Sequence, residues 1–597
     1  MGAALLMAAS TSADPVLGQN AEDSVRVILD EIQVSAIASG PVRYVELRSP
    51  QHVGGGDLAA ALSGELGLFV YRRNPGGPAT PRIRGWDGSQ VAVVLEGVRL
   101  IEPQSGQVDL SMIPAAFLER ARLVRSTATD QGAMGGQVDM TLLQASDGLM
   151  VRLAGGGGAF GARHGAVVLG GDRRRAGVTL GLHASRAPES WPLAENRRRI
   201  GAGRERQSAV ATLNWRTGTA RWTISHLSSH ADTALPGPAN GRPLRASQED
   251  RLGVTALGAS GVRERTLWRA QAVWQTSGAT FRDADANLDR SSQTSRASLT
   301  ATFGRERWDL QGGVDTQYLK GGPETETGGF VDISTRQPTS RLVIFAGLRQ
   351  EVRTARYRAV PRVSVSTRGS GLLVSVSAGR SVRHPTFVER YWQPGGNPDL
   401  RPEVGYTVDA GLESRLGALV LKTTAFAAWL DNRIVWQPSL VMSGLQVWTP
   451  TNVGRARSTG LEWRALWAGN RVAVGIDGSY TRATDRSDSR SASFGHQLRY
   501  VPRTVIAVPV RWAVGAVELS ASARYTGHRP IASDGSFEEP PYTELDLALR
   551  TTRRLAQADA TLSIMLHNAL DIPFETVRLY PMPGRHLTLH LNIDLSS

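Results

Sequence analysis

Four oxygen-bearing side chains, Asp283, Asp285, Asn287 and Asp289, follow one another at every second position. Oxygen ligands spaced this way can wrap Ca²⁺, which takes roughly six to eight of them. The EF-hand arrangement also needs a central Gly and a distal Glu. Here Leu288 and Arg290 intrude, so the set is incomplete and an ordinary solvated loop accounts for the same residues. No other constellation offers chemistry. Gly155 to Gly158 form a glycine run without the lysine of a phosphate loop. No His-Glu-x-x-His pair is present for zinc. The 11 histidines are scattered and cysteine is absent, which removes thiolate metal sites and disulfides. No nucleophile, base and orienting group can be named together, so an enzyme is not expected. No cofactor is required; Ca²⁺ in an external loop is the one for which the residues make a case.

The formal net charge is +14, and Lys320 and Lys422 are the only lysines. A basic excess can mean nucleic acid or an anionic surface. The arginines are spread along the chain and no nucleic-acid-binding motif accompanies them, so no nucleic acid is expected. Solvated loops explain most of the charge. Lipopolysaccharide phosphates, or an anionic ligand, suit the remainder better.

The elements that would position such residues are read from periodicity. From about Leu149 onward the pattern is strand, turn, strand. Val363 and Val365 alternate with Ser364 and Ser366. After Arg368-Gly369-Ser370, Leu372, Val374 and Val376 alternate with Leu373, Ser375 and Ser377. The last strand is the clearest, with Leu587, Leu589, Leu591, Ile593 and Leu595 alternating with Thr588, His590, Asn592 and Asp594. One greasy face and one polar face fit lipid outside and water inside. No stretch reaches the ~18 to 20 apolar residues of a membrane helix. A spanning structure must then be a closed barrel, since lipid offers no partner to open backbone groups. About 450 residues at roughly 20 per strand and loop give a transmembrane antiparallel β-barrel of about 22 strands. Short turns such as Arg216 to Ala220 alternate with long polar stretches such as Ala187 to Arg206, the two-sided asymmetry of such barrels. Trp215, Trp222, Trp268, Trp274, Trp308, Trp463, Trp467 and Trp512 lie in or beside strand patterns, where an interfacial belt would place them.

The first 146 residues read differently. Residues 1–13 resemble a secretory leader, with an apolar core from Ala3 to Ala9 and Thr11-Ser12-Ala13 before Asp14 and Pro15. Its positive start is missing, since Arg26 is the first basic residue, so the leader is expected to be truncated. Residues 14–39 form an extension. Residues 40–146 form an α+β unit with helical stretches at Asp57 to Leu66 and Pro114 to Arg120 and a strand at Ala92 to Leu95. Residues 147–597 form the barrel.

Within that α+β unit, Ile83-Arg84-Gly85, Val91 to Leu95, Glu96-Gly97-Val98-Arg99-Leu100, Ile113-Pro114, Leu118-Glu119-Arg120, Gly132 and Gly135-Gly136 follow in order over some 60 residues. This run resembles the plug domain of TonB-dependent outer-membrane receptors. Ser126-Thr127 stands where the family usually has Gly-Pro, and Gln131 where an aromatic is common. Leu29-Asp30-Glu31-Ile32-Gln33-Val34-Ser35 resembles the TonB box, which the family offers to TonB by strand addition. Phe387 to Glu403, Asn452 to Trp463 and His567 to Arg585 echo the family in its barrel. Ser596-Ser597 replaces the usual aromatic end.

The resemblance implies an N-terminal plug inside the lumen of an outer-membrane barrel. It implies partnership with TonB and its inner-membrane motor, contact with outer-membrane lipid and lipopolysaccharide, and a small-molecule or metal-chelate ligand; a monomer is expected. Arg82, Arg84, Arg99, Arg120, Arg122 and Arg125 are expected to pair with acidic residues of the barrel wall. The loops Arg72 to Thr80 and Ile101 to Val108 should lie together and face outside. They bring Tyr71, Arg72, Arg73, Asn74, Glu102, Gln104, Ser105 and Gln107 to the substrate, while the Trp86-Asp87-Gly88 turn should face the periplasm. Chain length and the Pro581-Met582-Pro583-Gly584-Arg585 run resemble those of cobalamin receptors, which favours a corrinoid substrate. A ferric-siderophore receptor and a non-transporting binding or scaffold protein are the alternatives.

Overall fold

Leu587, Leu589 and Leu591 are 41 to 54% exposed, whereas His590 and Asn592 between them are 7% exposed. The same two-sided pattern recurs around the molecule. Val363, Val365, Leu372 and Val376 are exposed, while Ser364, Ser366, Ser375 and Ser377 are buried. A strand with one apolar face must set that face against lipid or a core. Here 22 strands do so together and close on themselves as an antiparallel barrel. The first barrel strand, Gly148–Gly158, pairs antiparallel with the last, His586–Ser596, in a register that sets Leu153 beside Ile593. One face of that seam is crowded: a Cβ at Gly156 would collide with His164 and His590, and one at Gly158 with Thr588. Close approach of side chains across the seam therefore accounts for part of the glycine run Gly155 to Gly158.

The computed structural model describes residues 44–48, 56–62, 68–102, 106–124, 133–145, 148–173, 175–193, 196–241, 244–285, 287–305, 307–320, 325–338, 341–353, 356–369, 371–391, 395–439 and 447–596. Among them no helix is long and apolar enough to cross a membrane. One rim of the barrel carries short turns, such as Gly218-Thr219 between Arg204–Thr217 and Ala220–Leu235. The other rim carries long connections, such as that from His567 to His586. Gly148 and Ser596 both lie at the short-turn rim, which in such barrels faces the periplasm. Trp215, Trp222, Trp308, Trp467 and Trp512 stand within three residues of strand ends at that rim. Trp215 stacks on Trp222 across its hairpin at 6.0 Å. This is an aromatic girdle at one membrane interface.

The N-terminal unit fills the bore. Its strands are β1 (Tyr44–Arg48), β2 (Leu68–Arg72), β3 (Ala79–Ile83), β4 (Val91–Leu95), β5 (Val98–Leu100), β6 (Leu118–Val124) and β7 (Gly136–Leu142). Five form a sheet in the order β1-β6-β7-β4-β5, with β4 and β7 parallel; β2 and β3 make a separate hairpin. A helix spans Leu58–Leu62. The stretch Pro114 to Arg120 is not a helix: after one 3-10 turn, Ala115–Phe117, the chain enters β6. Leu118, Ala121 and Leu123 are buried there, and pairing to β1 and β7 outweighs local helical preference. The plug's Leu58, Phe117, Leu118 and Val138 share one apolar cluster with Val168, Val210, Leu227 and Val254 of the wall. The barrel lumen is thus a packed interface on that side.

The Trp86-Asp87-Gly88 turn does not face the periplasm. Arg84 and Gly85 both adopt left-handed backbone (φ 54° and 87°), and Ile83 and Trp86 exchange backbone hydrogen bonds across them. This two-residue turn folds the chain back along β3. Trp86 therefore packs with Leu430 and Ala456, in the half of the barrel nearer the long loops. Glu96-Gly97 repeats the device (φ 53° and 83°) to join β4 to β5.

Candidate functional site

Arg84 is the anchor between plug and wall. Its guanidinium lies 2.5 Å from Asp409 and donates to both oxygens of Glu462 at 3.1 and 3.0 Å. Its backbone carbonyl accepts from Ser458 at 2.6 Å. Burial disfavours the charged guanidinium, but Glu462 and Asp409 outweigh burial and hold its pKa well above the usual value. Of the other plug arginines, Arg82 stacks over Tyr71 at 4.3 Å and donates to the Arg499 carbonyl. The Arg99 carbonyl accepts from Arg296 at 2.8 Å. Arg125 lies outside the described residues.

On the long-loop side of the plug the bore opens into a cavity of about 1590 Å³. Arg73, Thr80, Glu102, Gln107 and Met112 of the plug form its floor. Asp250, Phe281 and Arg290 come from the long-loop ends of wall strands, Gln275 from the middle of one, and Phe387, Arg390 and Tyr391 from a loop. Three predicted residues, Arg73, Glu102 and Gln107, therefore line the vestibule together. Arg73 also lies over the Tyr580 ring at 5.5 Å. Tyr71, Arg72 and Asn74 do not line it. Tyr71 packs edge-on against Tyr500 at 5.8 Å. Arg72 pairs with Asp57 at 3.1 Å, and its carbonyl accepts from Thr576. Asn74, 3% exposed, donates to the Ala202 carbonyl at 2.7 Å. These three fix the apical loop to the wall while their neighbour faces the cavity. Gln104 and Ser105 lie outside the described residues, as does Leu29-Asp30-Glu31-Ile32-Gln33-Val34-Ser35.

The acidic series straddles a hairpin. Asp283 ends the strand Thr266–Asp283, while Asn287 (φ 49°) precedes Leu288–Arg305, which contains Asp289. Asp285 accepts from the Arg245 backbone at 3.0 Å and side chain at 3.1 Å. Asp283 accepts from the Asp285 backbone at 3.0 Å, and Asp289 lies 3.7 Å from Arg282. A cation here would have to displace Arg245. Among the described residues no three carboxylate, imidazole or thiol groups converge as a metal site.

Residues that sequence reasoning did not single out connect the cavity to the plug. The short helix Phe387–Tyr391 is capped reciprocally: Glu389 N–H donates to Thr386 Oγ1 at 3.2 Å, and Thr386 N–H to Glu389 at 2.8 Å. Arg383 joins Glu389 at 3.1 Å to Glu403 at 2.6 Å. Glu403, 1% exposed, also accepts from Gln90 of the plug at 3.1 Å and from the Ile434 N–H at 2.8 Å. A chain of buried charged hydrogen bonds thus runs from the vestibule helix to the plug turn behind Asp87. Asp87 caps that turn through the Ser89 N–H at 3.0 Å. Burial pushes its carboxyl up, but the Ser89 bond and the Arg383, Arg82 and Arg433 charges prevail and leave it below the usual range. The signal available in the sequence was the run Phe387 to Glu403, which holds Glu389 and Glu403 at its two ends.

The cavity mixes aromatic, aliphatic and charged groups and presents no reacting pair. Such a surface binds and orients a large ligand. A family model described as TonB-dependent receptor-like β-barrel matches residues 153–569, and one described as the TonB-dependent receptor plug domain matches residues 38–137. The vitamin B12 transporter BtuB of Photobacterium profundum is 24% identical over 451 residues, 70% of this chain and 73% of the relative. That of Vibrio vulnificus is 26% identical over 200 residues, 34% of this chain and 30% of the relative. The copper transporter OprC superposes with a TM-score of 0.78 at 14% identity, covering 94% of this chain and 99% of its own. The ferric enterobactin receptor PfeA of Pseudomonas aeruginosa, with enterobactin bound, gives 0.76 at 14% identity over 94% and 100%. At such identities the two solved structures speak for the fold alone.

Proposed function

Because this chain belongs to the TonB-dependent receptor family, we propose that it draws a cobalamin-like corrinoid from outside the cell and carries it through the outer membrane by TonB-driven active transport. The chain is an outer-membrane receptor with a plugged barrel, and not an enzyme. The observation that carries the substrate is the match to a vitamin B12 transporter over 73% of that relative's length. The loop holding Pro581 to Arg585 agrees with it, since Tyr580 at its edge lies against Arg73 on the vestibule floor. A ferric chelate is the second reading, favoured by Arg73, Arg251, Arg290, Lys320 and Arg390 around the cavity.

A ligand seated on Phe387 and Tyr391 bears on the helix that Glu389 and Arg383 tie to Glu403, and Glu403 holds Gln90 of the plug. A shift there changes how the plug sits. The segment Leu29 to Ser35 then pairs with TonB as an added strand. The work arrives mechanically from the inner-membrane proton gradient, because the outer membrane has no nucleotide supply. The test is uptake of radiolabelled cyanocobalamin by a strain in which this chain is the only corrinoid receptor. Uptake should require TonB, and should vanish on deleting residues 29–36 while binding to whole cells persists. Uptake that is indifferent to TonB and to the deletion refutes active transport. TonB-dependent uptake of a ferric siderophore instead, with no corrinoid bound, moves the substrate to the second reading.

A further inference from the structure

Beside the vestibule, behind the apical loop, a separate cavity of about 200 Å³ lies between the plug and the wall strands nearest the barrel seam. Five guanidiniums line it, those of Arg72, Arg163, Arg186, Arg204 and Arg206, with the imidazoles of His164 and His590. Among the described residues, Asp57 is the one carboxylate on its surface.

The charges there do not balance. Arg72 pairs with Asp57, Arg204 with Asp109 at 3.1 Å, and Arg186 with Glu189 at 2.9 Å and Glu205 at 3.4 Å. Arg206 and Arg163 make no ion pair among the described residues. Arg206 is only 6% exposed. It donates to the Ser111 carbonyl and lies 3.5 Å from His183 Nε2. Its Nε, like those of Arg72 and Arg204, is buried with no acceptor among the described residues. Arg206 shares the charges of Asp57 and Asp109 with Arg72 and Arg204, so three buried guanidiniums have two carboxylates between them, and such an excess of buried charge is disfavoured. Asp57 feels the same field. Burial pushes its carboxyl up, yet Arg72, Arg206 and Arg204 and the Ala60 N–H together hold it below the usual range. The two imidazoles close the far side, with Nδ1 of His590 3.4 Å from Nε2 of His164 and Nε2 of His590 3.0 Å from the Thr588 hydroxyl.

We propose that this cavity binds an oxyanion of the phosphate class, which supplies the counter-charge for Arg206 and Arg163 and accepts from the orphaned N–H groups. The chemistry fits because guanidiniums bind tetrahedral oxyanions through paired charge-assisted hydrogen bonds. The site lies apart from the vestibule and does not depend on the transport reading. The anion is either free in the medium or the charged arm of a larger molecule.

The test is equilibrium dialysis of the full chain in detergent against radiolabelled inorganic phosphate at fixed ionic strength. One phosphate should bind per chain and saturate, and Arg206→Gln should weaken binding about tenfold. Because that change touches a buried group, Arg163→Gln at the exposed edge is the second variant, with native tryptophan fluorescence required of both; it should weaken binding severalfold. Competition by a nucleoside monophosphate assigns the source. Displacement at lower concentration than by phosphate itself points to the arm of a larger molecule, and equal or weaker displacement to the free ion. Absence of saturable phosphate binding, or equal affinity in wild type and both folded variants, overturns the proposal.

Discussion

Replacing Arg84 by Met should loosen the plug without opening the barrel wall. The guanidinium is 5% exposed, and the two carboxylates it binds, Asp409 and Glu462, are 8% and 6% exposed. Removing one partner of a buried, multiply bonded ion pair costs about 3–5 kcal/mol, because the remaining charges lose their counter-ion in a medium that solvates them poorly. At about 1.4 kcal/mol per decade this is a shift of roughly a hundred- to several-thousand-fold in the seated-to-released equilibrium. The barrel ladder is untouched, so the loss falls on the plug. Planar-bilayer recording under increasing urea reads it: the wild-type chain should stay nearly silent until the plug unseats. A plug of about 100 residues releases with a slope of about 1–3 kcal/mol per molar urea, so the variant should begin to conduct roughly 1–5 M earlier. The triple variant Arg84→Met, Asp409→Asn, Glu462→Gln should recover most of the difference, since a neutral set replaces the stripped charges. Conductance at the same urea concentration in wild type and single variant would show that Arg84 does not seat the plug. A triple variant as leaky as the single one would show that the cost was not the uncompensated charge.

Three further outcomes follow from other parts of the molecule. Asp57 has its pKa lowered in the folded plug, so its contribution to stability is present above the ordinary carboxylate value near about 3.9 and is lost as pH falls from there through the lower folded value. The plug's resistance to release by urea should therefore fall as pH drops below about 4, and Asp57→Asn should flatten that acid limb. Leu591, on the lipid face near the middle of its strand, should cost about 2–4 kcal/mol when changed to Arg, measured by refolding into lipid vesicles, whereas lumen-facing Asn592→Ser should change little. Gly97→Ala should cost about 1–2 kcal/mol in plug release for its left-handed backbone alone, because its nearest neighbours leave room for a Cβ. Gly85→Ala should cost more, because there the Cβ also meets Ala483 at 2.5 Å.

The barrel was legible because lipid enforces the simplest rule a strand can carry. Leu587, Leu589 and Leu591 must point out and His590 and Asn592 in, and that alternation survives in the sequence without knowledge of any neighbour. The strand number followed from length, since each crossing and its connection use a similar number of residues. The plug motif was legible for a local reason too: Arg84-Gly85 and Glu96-Gly97 are left-handed pairs that tight turns demand. What that same turn does to direction was not legible. Alternating the apical loops by simple strand reversal put Trp86-Asp87-Gly88 at the periplasmic side, whereas a two-residue turn folds it back along β3.

The binding surface was legible only in part, because closure of the barrel creates it. Asp250, Phe281, Phe387 and Tyr391 are up to 141 positions apart in the chain and meet only once the wall has curved around the plug. Within the apical loop, side chains one residue apart face opposite ways: Arg72 turns back to Asp57 and Arg73 outward over Tyr580. Residue type cannot separate two adjacent arginines; the partner each one finds does. The same holds for the acidic series, whose spacing suggests a shared ion, while Asp285 is held by Arg245, 40 positions away and brought alongside by strand pairing. In this fold the sequence states which face of a strand is wet, and the closed wall decides which wet residues meet.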